Sequence, residues 1–229
     1  PVTMVASAFT QIENIQNNIT PYCGYNADNI LVLVSLSKQR RLGASILDQI
    51  NCSKNSDVPD VDSEKLINFF KIMQKAKQEN LVEAYHDVSD GGVFSAVCEM
   101  SFAGNYGFDI DIAGNDLISL MFTEELSAIV QLKDSCFIDF QRIVDEHSLC
   151  SLKLGITNIE QKINITANNK LVFSESIIEL EKIWAKTSCL MQKLRDNPES
   201  AMSEYKAIAQ KNKMNKEILS KVDISIPDM

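Results

Sequence analysis

The stretch AYHDVSDGGVFSAVCEM, residues 84–100, decides how the rest of the chain reads. Residues 85–92 alone gather a histidine, two aspartates, a serine and two adjacent glycines in a chain that has only 2 histidines and 8 glycines. After the glycines, Val93, Ala96, Val97 and Met100 recur at helical spacing. They predict a helix ending at Gly104-Asn105, a pair suited to a left-handed cap. Before the glycines, LVEAYHD (81–87) reads as a short strand. The motif is therefore a strand, a glycine turn and a helix start, a place where backbone N–H groups lack intrahelical partners.

Outward from this unit, strands and helices alternate. Ile30–Val34, closing at Leu36, is continuously apolar and β-branched, as expected of a strand covered on both faces. A basic loop with Lys38, Arg40 and Arg41 follows, then a short helix over Ala44–Ile50 and a polar loop over 51–61. Asp62 or Ser63 caps a long helix with the stripe Leu66, Phe69, Phe70, Met73 and Ala76. FDIDI (108–112) alternates strictly, SAIVQL (127–132) is another strand, and a helix begins after Asp134. KINITA and LVFSES form a hairpin around Asn168-Asn169. From Ser176 the pattern is helical, with Ile177, Leu180, Ile183, Trp184, Leu190, Met191 and Leu194 in phase and a break at Asn197-Pro198. The expected architecture is α+β or layered α/β, a mixed sheet packed with helices, over residues 1–175, with a helical linker over 176–229.

Composition sets the outer bounds. At 229 residues the chain holds one or two domains, and 45% hydrophobic with 23% charged residues is ordinary for a globular protein. The net charge of −9 argues against broad binding to nucleic acid or an anionic membrane, and leaves room for a small local phosphate site. There is no apolar run of membrane-span length and no signal-peptide pattern, so the expectation is a cytoplasmic protein. Six scattered cysteines without a C-x-x-C fit reduced thiols; Cys98 and Cys136 fall in helical patterns, as small buried hydrophobes do. The strand-like opening, Pro1 to Phe9, reads as a piece of a longer polypeptide and, as an orphaned strand, predicts self-association.

The motif offers two chemistries. Glycines at a helix start let a ligand approach the backbone, where free N–H groups suit an anion. Ser89 offers a hydroxyl to phosphate, and Asp87 a hard oxygen of the kind magnesium takes when it bridges to nucleotide phosphates. The same residues also read as a plain helix cap, with Ser89 or Asp90 accepting N–H bonds. His86 reads as a hydrogen-bonded structural residue or as a base. Lys38, Arg40 and Arg41 form a solvated loop or meet a phosphate, in a segment without Walker spacing. Glu124-Glu125 and the Asp109/Asp111 pair read as surface or capping carboxylates. Ser127 and Ser188 have no histidine partner in sequence, and His147 sits where a helix C-terminus welcomes positive charge.

AYHDVSDGGVFSAVCEMSFAGNYGFDIDI resembles the C-terminal domain of the aminoimidazole ribonucleotide synthetase superfamily, which shares an H-D-x-S-D-G-G pattern. PVTMVASAF, LGAS, MFTEELSAIVQL, VFSES and above all WAKTSCLMQKLRDNPESA are similar to the long-chain phosphoribosylformylglycinamidine synthase family of purine biosynthesis. The resemblance implies a piece of an ATP-dependent ligase that makes an amidine from formylglycinamide ribonucleotide, with glutamine as amide donor. It further implies an auxiliary magnesium–nucleotide (ATP or ADP) site in which Asp87 is a metal ligand and Ser89 contacts the nucleotide. No catalytic residue is implied in this chain, which would be inactive alone. Its partners would be upstream synthetase domains and a downstream glutaminase domain. In relatives the strand-to-helix loop is glycine-rich; here it is LSKQRRLGAS, and phosphate binding is not carried over to it. A scaffolding nucleotide-binding module, or another synthetase or kinase of the superfamily, is the alternative.

Overall fold

The computed structural model describes residues 7, 9–11, 18–52, 57–114 and 116–210. The strand expected over residues 1–9, the self-association drawn from it and the chain beyond residue 210 lie outside these residues, apart from isolated positions.

The centre of the molecule is the apolar run read as a doubly covered strand. β1 (Asn29–Ser35) is buried at every position. It pairs antiparallel with β4 (Ser127–Lys133) on one side and β5 (Cys150–Asn158) on the other. β2 (Ala84–Asp87) adds to β4 at one edge. Beyond β5 come β3 (Gly107–Ile112), β6 (Lys162–Ala167) and β7 (Lys170–Ser176), giving the order β2-β4-β1-β5-β3-β6-β7. The sheet is mixed because β3 and β6 are parallel, while every other pairing is antiparallel. The β6–β7 hairpin turns on Asn168 and Asn169, with φ of 51° and 62°. Asparagine tolerates this left-handed pair, which matches the twist of the flanking strands.

Side chains alternate across the sheet, so β1 feeds two cores. Ile30, Val32 and Val34 face α2 (Ser63–Gln78) and α5 (Phe137–Glu146), meeting Phe69, Ile72, Phe140 and Ile143. Leu31 and Leu33 face α3 (Gly92–Gly104) and α4 (Leu117–Phe122), meeting Val93, Val97, Met100 and Leu120. Each such side chain contributes about 2 kcal/mol on burial, which is why β1 has no polar alternation. α1 (Ile46–Asn51) caps on Ser45 beside β1, and α6 (Ile177–Arg195) and α7 (Pro198–Ala207) follow β7. Asn197 caps α7 with Pro198 in its first turn, so the expected helix break is also a helix start.

Several expectations shift. The α2 stripe buries Phe69, Ile72 and Ala76, leaves Leu66 and Met73 half-buried, and turns Phe70 outward at 60% exposure. α1 begins at Ile46, because Ala44 is left-handed (φ 62°) and Ser45 is the cap. Cys136 ends a 3-10 turn rather than lying inside a helix, and is half-buried. β5 and α4 are additional elements. The alternation Leu152, Leu154, Ile156 carried the signal for β5, whereas the six apolar-rich residues of α4 fit helix and strand equally. No helix among the described residues is long and apolar enough to cross a membrane.

Candidate functional site

The chain ends β2 at Asp87, opposite Ala128 of β4. Alternation sends Tyr85 and Asp87 to the α2 side of the sheet and His86 to the α3 side. Tyr85 Oη donates to Asp87 Oδ1 at 2.5 Å. Burial and this carboxylate both push the Tyr85 hydroxyl's pKa well up. Asp87 is exposed and forms part of the wall of a cavity of about 590 Å³, with Leu66, Phe70, Met73, Lys77 and Tyr85. Ser89 and Asp90 are exposed on the following turn, outside that wall. The turn is fixed by Val88 N–H donating to Ser127 O at 2.9 Å.

The two glycines are explained by the chain itself. Gly91 and Gly92 both have left-handed φ, 85° and 70°. A Cβ on Gly92 would lie 2.7 Å from Thr123 O and 2.8 Å from Phe122 Cα, so the end of α4 fills the space a ligand was expected to use. Nor are their N–H groups free. Gly91 N–H donates to Glu124 Oε1 at 2.8 Å, and Gly92 N–H to Ser89 O at 2.9 Å. The anion at this helix start is thus a carboxylate of the protein, which corrects the expectation of open donors. Neither Ser89 nor Asp90 caps the helix through its side chain. Glu124 Oε1 also accepts from Ile46 N–H at 2.9 Å, so one carboxylate serves the starts of α1 and α3.

His86 is structural. Its Nδ1 lies 2.6 Å from Asp87 O and its Nε2 3.0 Å from Glu99 Oε2. The other Glu99 oxygen accepts from Trp184 Nε1 at 3.0 Å. β2, α3 and α6 meet through these three side chains.

The remaining candidates separate by position. Glu125, expected as a surface or capping carboxylate, is instead 3% exposed and takes a bidentate grip from Arg41, whose Nη2 reaches Glu125 Oε2 at 2.9 Å. Hydrogen bonding to this carboxylate raises the Arg41 pKa further. Arg41 is thereby committed, and Arg40 lies 3.6 Å from Asp116. Lys38 is exposed beside a smaller cleft of about 250 Å³. Asp109 accepts from Asn158 and Asn164, both at 2.8 Å, bridging three strands, while Asp111 is exposed. Ser127 is buried and donates to Glu125 O at 2.8 Å; Ser188 is exposed. His147 Nδ1 lies 2.9 Å from Ile143 O at the C-terminus of α5. All six cysteines are free thiols, and burial pushes Cys23 and Cys98 up to about 12.

Asp87 suits a hard cation as one oxygen donor at an open wall. Among the described residues no group of three or more His, Cys, Asp and Glu could hold a metal ion. Asp87 is thus a single carboxylate at this wall, without a cluster of further ligands among the described residues. The structure places Asp87 and Ser89 at the exposed end of β2, and of the surface or capping role expected of Glu124 it shows capping. An acid three residues before a strand carries no sign of which helices it will cap.

Residues 26–133 match the family described as AIR synthase related protein, C-terminal domain. Among solved structures the chain is similar to PurL of Thermotoga maritima complexed with ATP, at 15% identity and a TM-score of 0.60, over 71% of this chain and 27% of that one. It is also similar to phosphoribosylformylglycinamidine synthase II of Thermotoga maritima, at 17% identity and a TM-score of 0.58, over 71% and 27% of the two chains. E. coli HypE, a hydrogenase maturation protein, shares the fold at 15% identity and a TM-score of 0.51, over 69% and 51%. At these identities the likeness is one of fold, and the chain spans about a quarter of the length of the two Thermotoga proteins.

Proposed function

We propose, from the premise that residues 26–133 form an AIR synthase-like C-terminal domain, that the chain supplies part of a magnesium–nucleotide site in a larger ATP-dependent purine-biosynthesis ligase. One fold relative is described as a complex with ATP. The reaction we assign to the whole enzyme converts formylglycinamide ribonucleotide, glutamine and ATP to formylglycinamidine ribonucleotide, glutamate, ADP and phosphate. Residues from 176 onward act in this reading as a helical linker towards a glutaminase domain.

The observation that carries the reading is the placement of Asp87 and Ser89. Both are exposed, two residues apart, on a turn pinned by Ser127 O, Glu124 and the close packing of Gly92. Asp87 would hold the cation through its carboxylate, with Tyr85 orienting one oxygen. Ser89 would donate to a phosphate oxygen. A bound magnesium ion would offset the repulsion between that carboxylate and a polyphosphate. The glycine turn shapes the loop and leaves the anion cradle to Glu124, so nucleotide contact falls to side chains. No residue of this chain is assigned a bond-making role.

The test is Asp87→Ala in the complete enzyme. Less nucleotide retained through purification, with glutaminase turnover preserved, supports the site. Unchanged retention overturns it.

A further inference from the structure

The three groups that meet across β2, α3 and α6 have a consequence for that site. Glu99 has two carboxylate oxygens, one at His86 and the other at Trp184, each at 3.0 Å. His86 in turn reaches the backbone carbonyl of Asp87 at 2.6 Å. An unbroken path of hydrogen bonds therefore runs from the indole of α6 to the peptide that opens the Asp87–Gly92 turn. Phe102 is buried and holds the Trp184 ring from the side, with centroids 5.9 Å apart.

α6 also rests Ile178 and Leu180 on the core, and Tyr205 of α7 donates to Lys182 O at 3.1 Å. Ile177 and Cys189 are its buried residues, while Ile183, Leu190, Met191 and Leu194 are exposed. Trp184 is the polar tie between the middle of this helix and α3. Glu99 cannot follow α6 without loosening His86, because its two oxygens share one rigid carboxylate.

We propose that Trp184, through Glu99 and His86, is a positioning residue for the Asp87–Gly92 turn, so that the seating of α6 sets the geometry of the metal–nucleotide site. The functional meaning rests on the site proposed above; the coupling itself does not. It is a link between two elements that sequence places far apart, and it makes α6 more than a connector.

Amide hydrogen exchange tests it without a ligand. Three turn amides have defined acceptors: Val88 on Ser127 O, Gly91 on Glu124, and Gly92 on Ser89 O. Trp184→Phe keeps a ring against Phe102 while it deletes the N–H donor and trims the ring; the β1 amides below control for the lost packing. The expected result is about tenfold faster exchange at these three amides, the scale of one lost charge-assisted hydrogen bond. Glu99→Gln should accelerate the same amides, and the double variant should add little, as for members of one network. Unchanged turn amides in Trp184→Phe overturn the proposal. So does acceleration shared equally by the β1 amides of Ile30–Val34, which would mean general loss of stability. The exchange comparison and the Asp87→Ala retention measurement fail independently.

Discussion

Glu124 accepts the Gly91 N–H at 2.8 Å, from a carboxylate 33 residues further along the chain. The start of α3 is therefore capped from α4's side of the molecule, not by the Ser89-Asp90 pair that precedes it. Because the same oxygen takes the Ile46 N–H, this contact also sets α1 against α3. Glu124→Ala should cost about 1–3 kcal/mol, the penalty for leaving donors without partners. Glu124→Gln should cost less, since its amide oxygen still accepts. Urea denaturation of the two variants distinguishes them; equal stability of Glu124→Ala and the parent would refute the shared cap.

The two glycines should differ sharply on substitution. A Cβ at Gly92 meets backbone at 2.7–2.8 Å, whereas at Gly91 it meets the Ser95 hydroxyl, which can swing aside. Gly91→Ala is expected to cost about 1–2 kcal/mol for its left-handed backbone. Gly92→Ala should cost more, by a further 1–3 kcal/mol of overpacking. Melting temperatures in the order parent, Gly91→Ala, Gly92→Ala are the expected outcome.

Alkaline pH should destabilise the fold through two buried thiols. Cys23 and Cys98 are pushed up to about 12 by burial. An unfolded cysteine ionises near 8.5. Above that pH the unfolded chain has released protons that the folded chain still holds. Stability is therefore full below about pH 8.5 and falls as pH rises towards 12, by roughly 1 kcal/mol per pH unit for each thiol. Denaturation midpoints at pH 8 and pH 10 measure it, and a Cys23→Ala, Cys98→Ala double variant should flatten the slope.

Thiol reactivity should follow the same burial. Cys52 is exposed, and Cys23, Cys98 and Cys189 are buried. Iodoacetamide at pH 8 should modify Cys52 first and reach the buried three only on unfolding, as read by peptide mass spectrometry.

The isolated chain should make no amidine from formylglycinamide ribonucleotide, ammonia and ATP. One exposed carboxylate and one hydroxyl supply too few groups for the chemistry. Detectable turnover would show that the chain holds a complete site.

Local pattern was enough for the framework. The unbroken apolar run of β1, the strict alternation of β3, the Asn168-Asn169 turn and the Asp62 cap are each written within about ten residues, where period and turn chemistry act directly. Asp87 and Ser89 were also legible, because a strand end followed by two glycines places them at a loop whatever the rest of the chain does. The tertiary structure alone decided what those glycines are for, which acid faces their N–H groups, and that Arg41 is bound to Glu125. The last two depend on groups 33 and 84 residues apart meeting within hydrogen-bond reach, and the first on Gly92 packing against the backbone of Phe122 and Thr123. The same holds for Phe70, whose helical phase was clear while the side of the helix left uncovered was not. Periodicity orders a helix around its own axis, and only the packed sheet fixes which direction is inside.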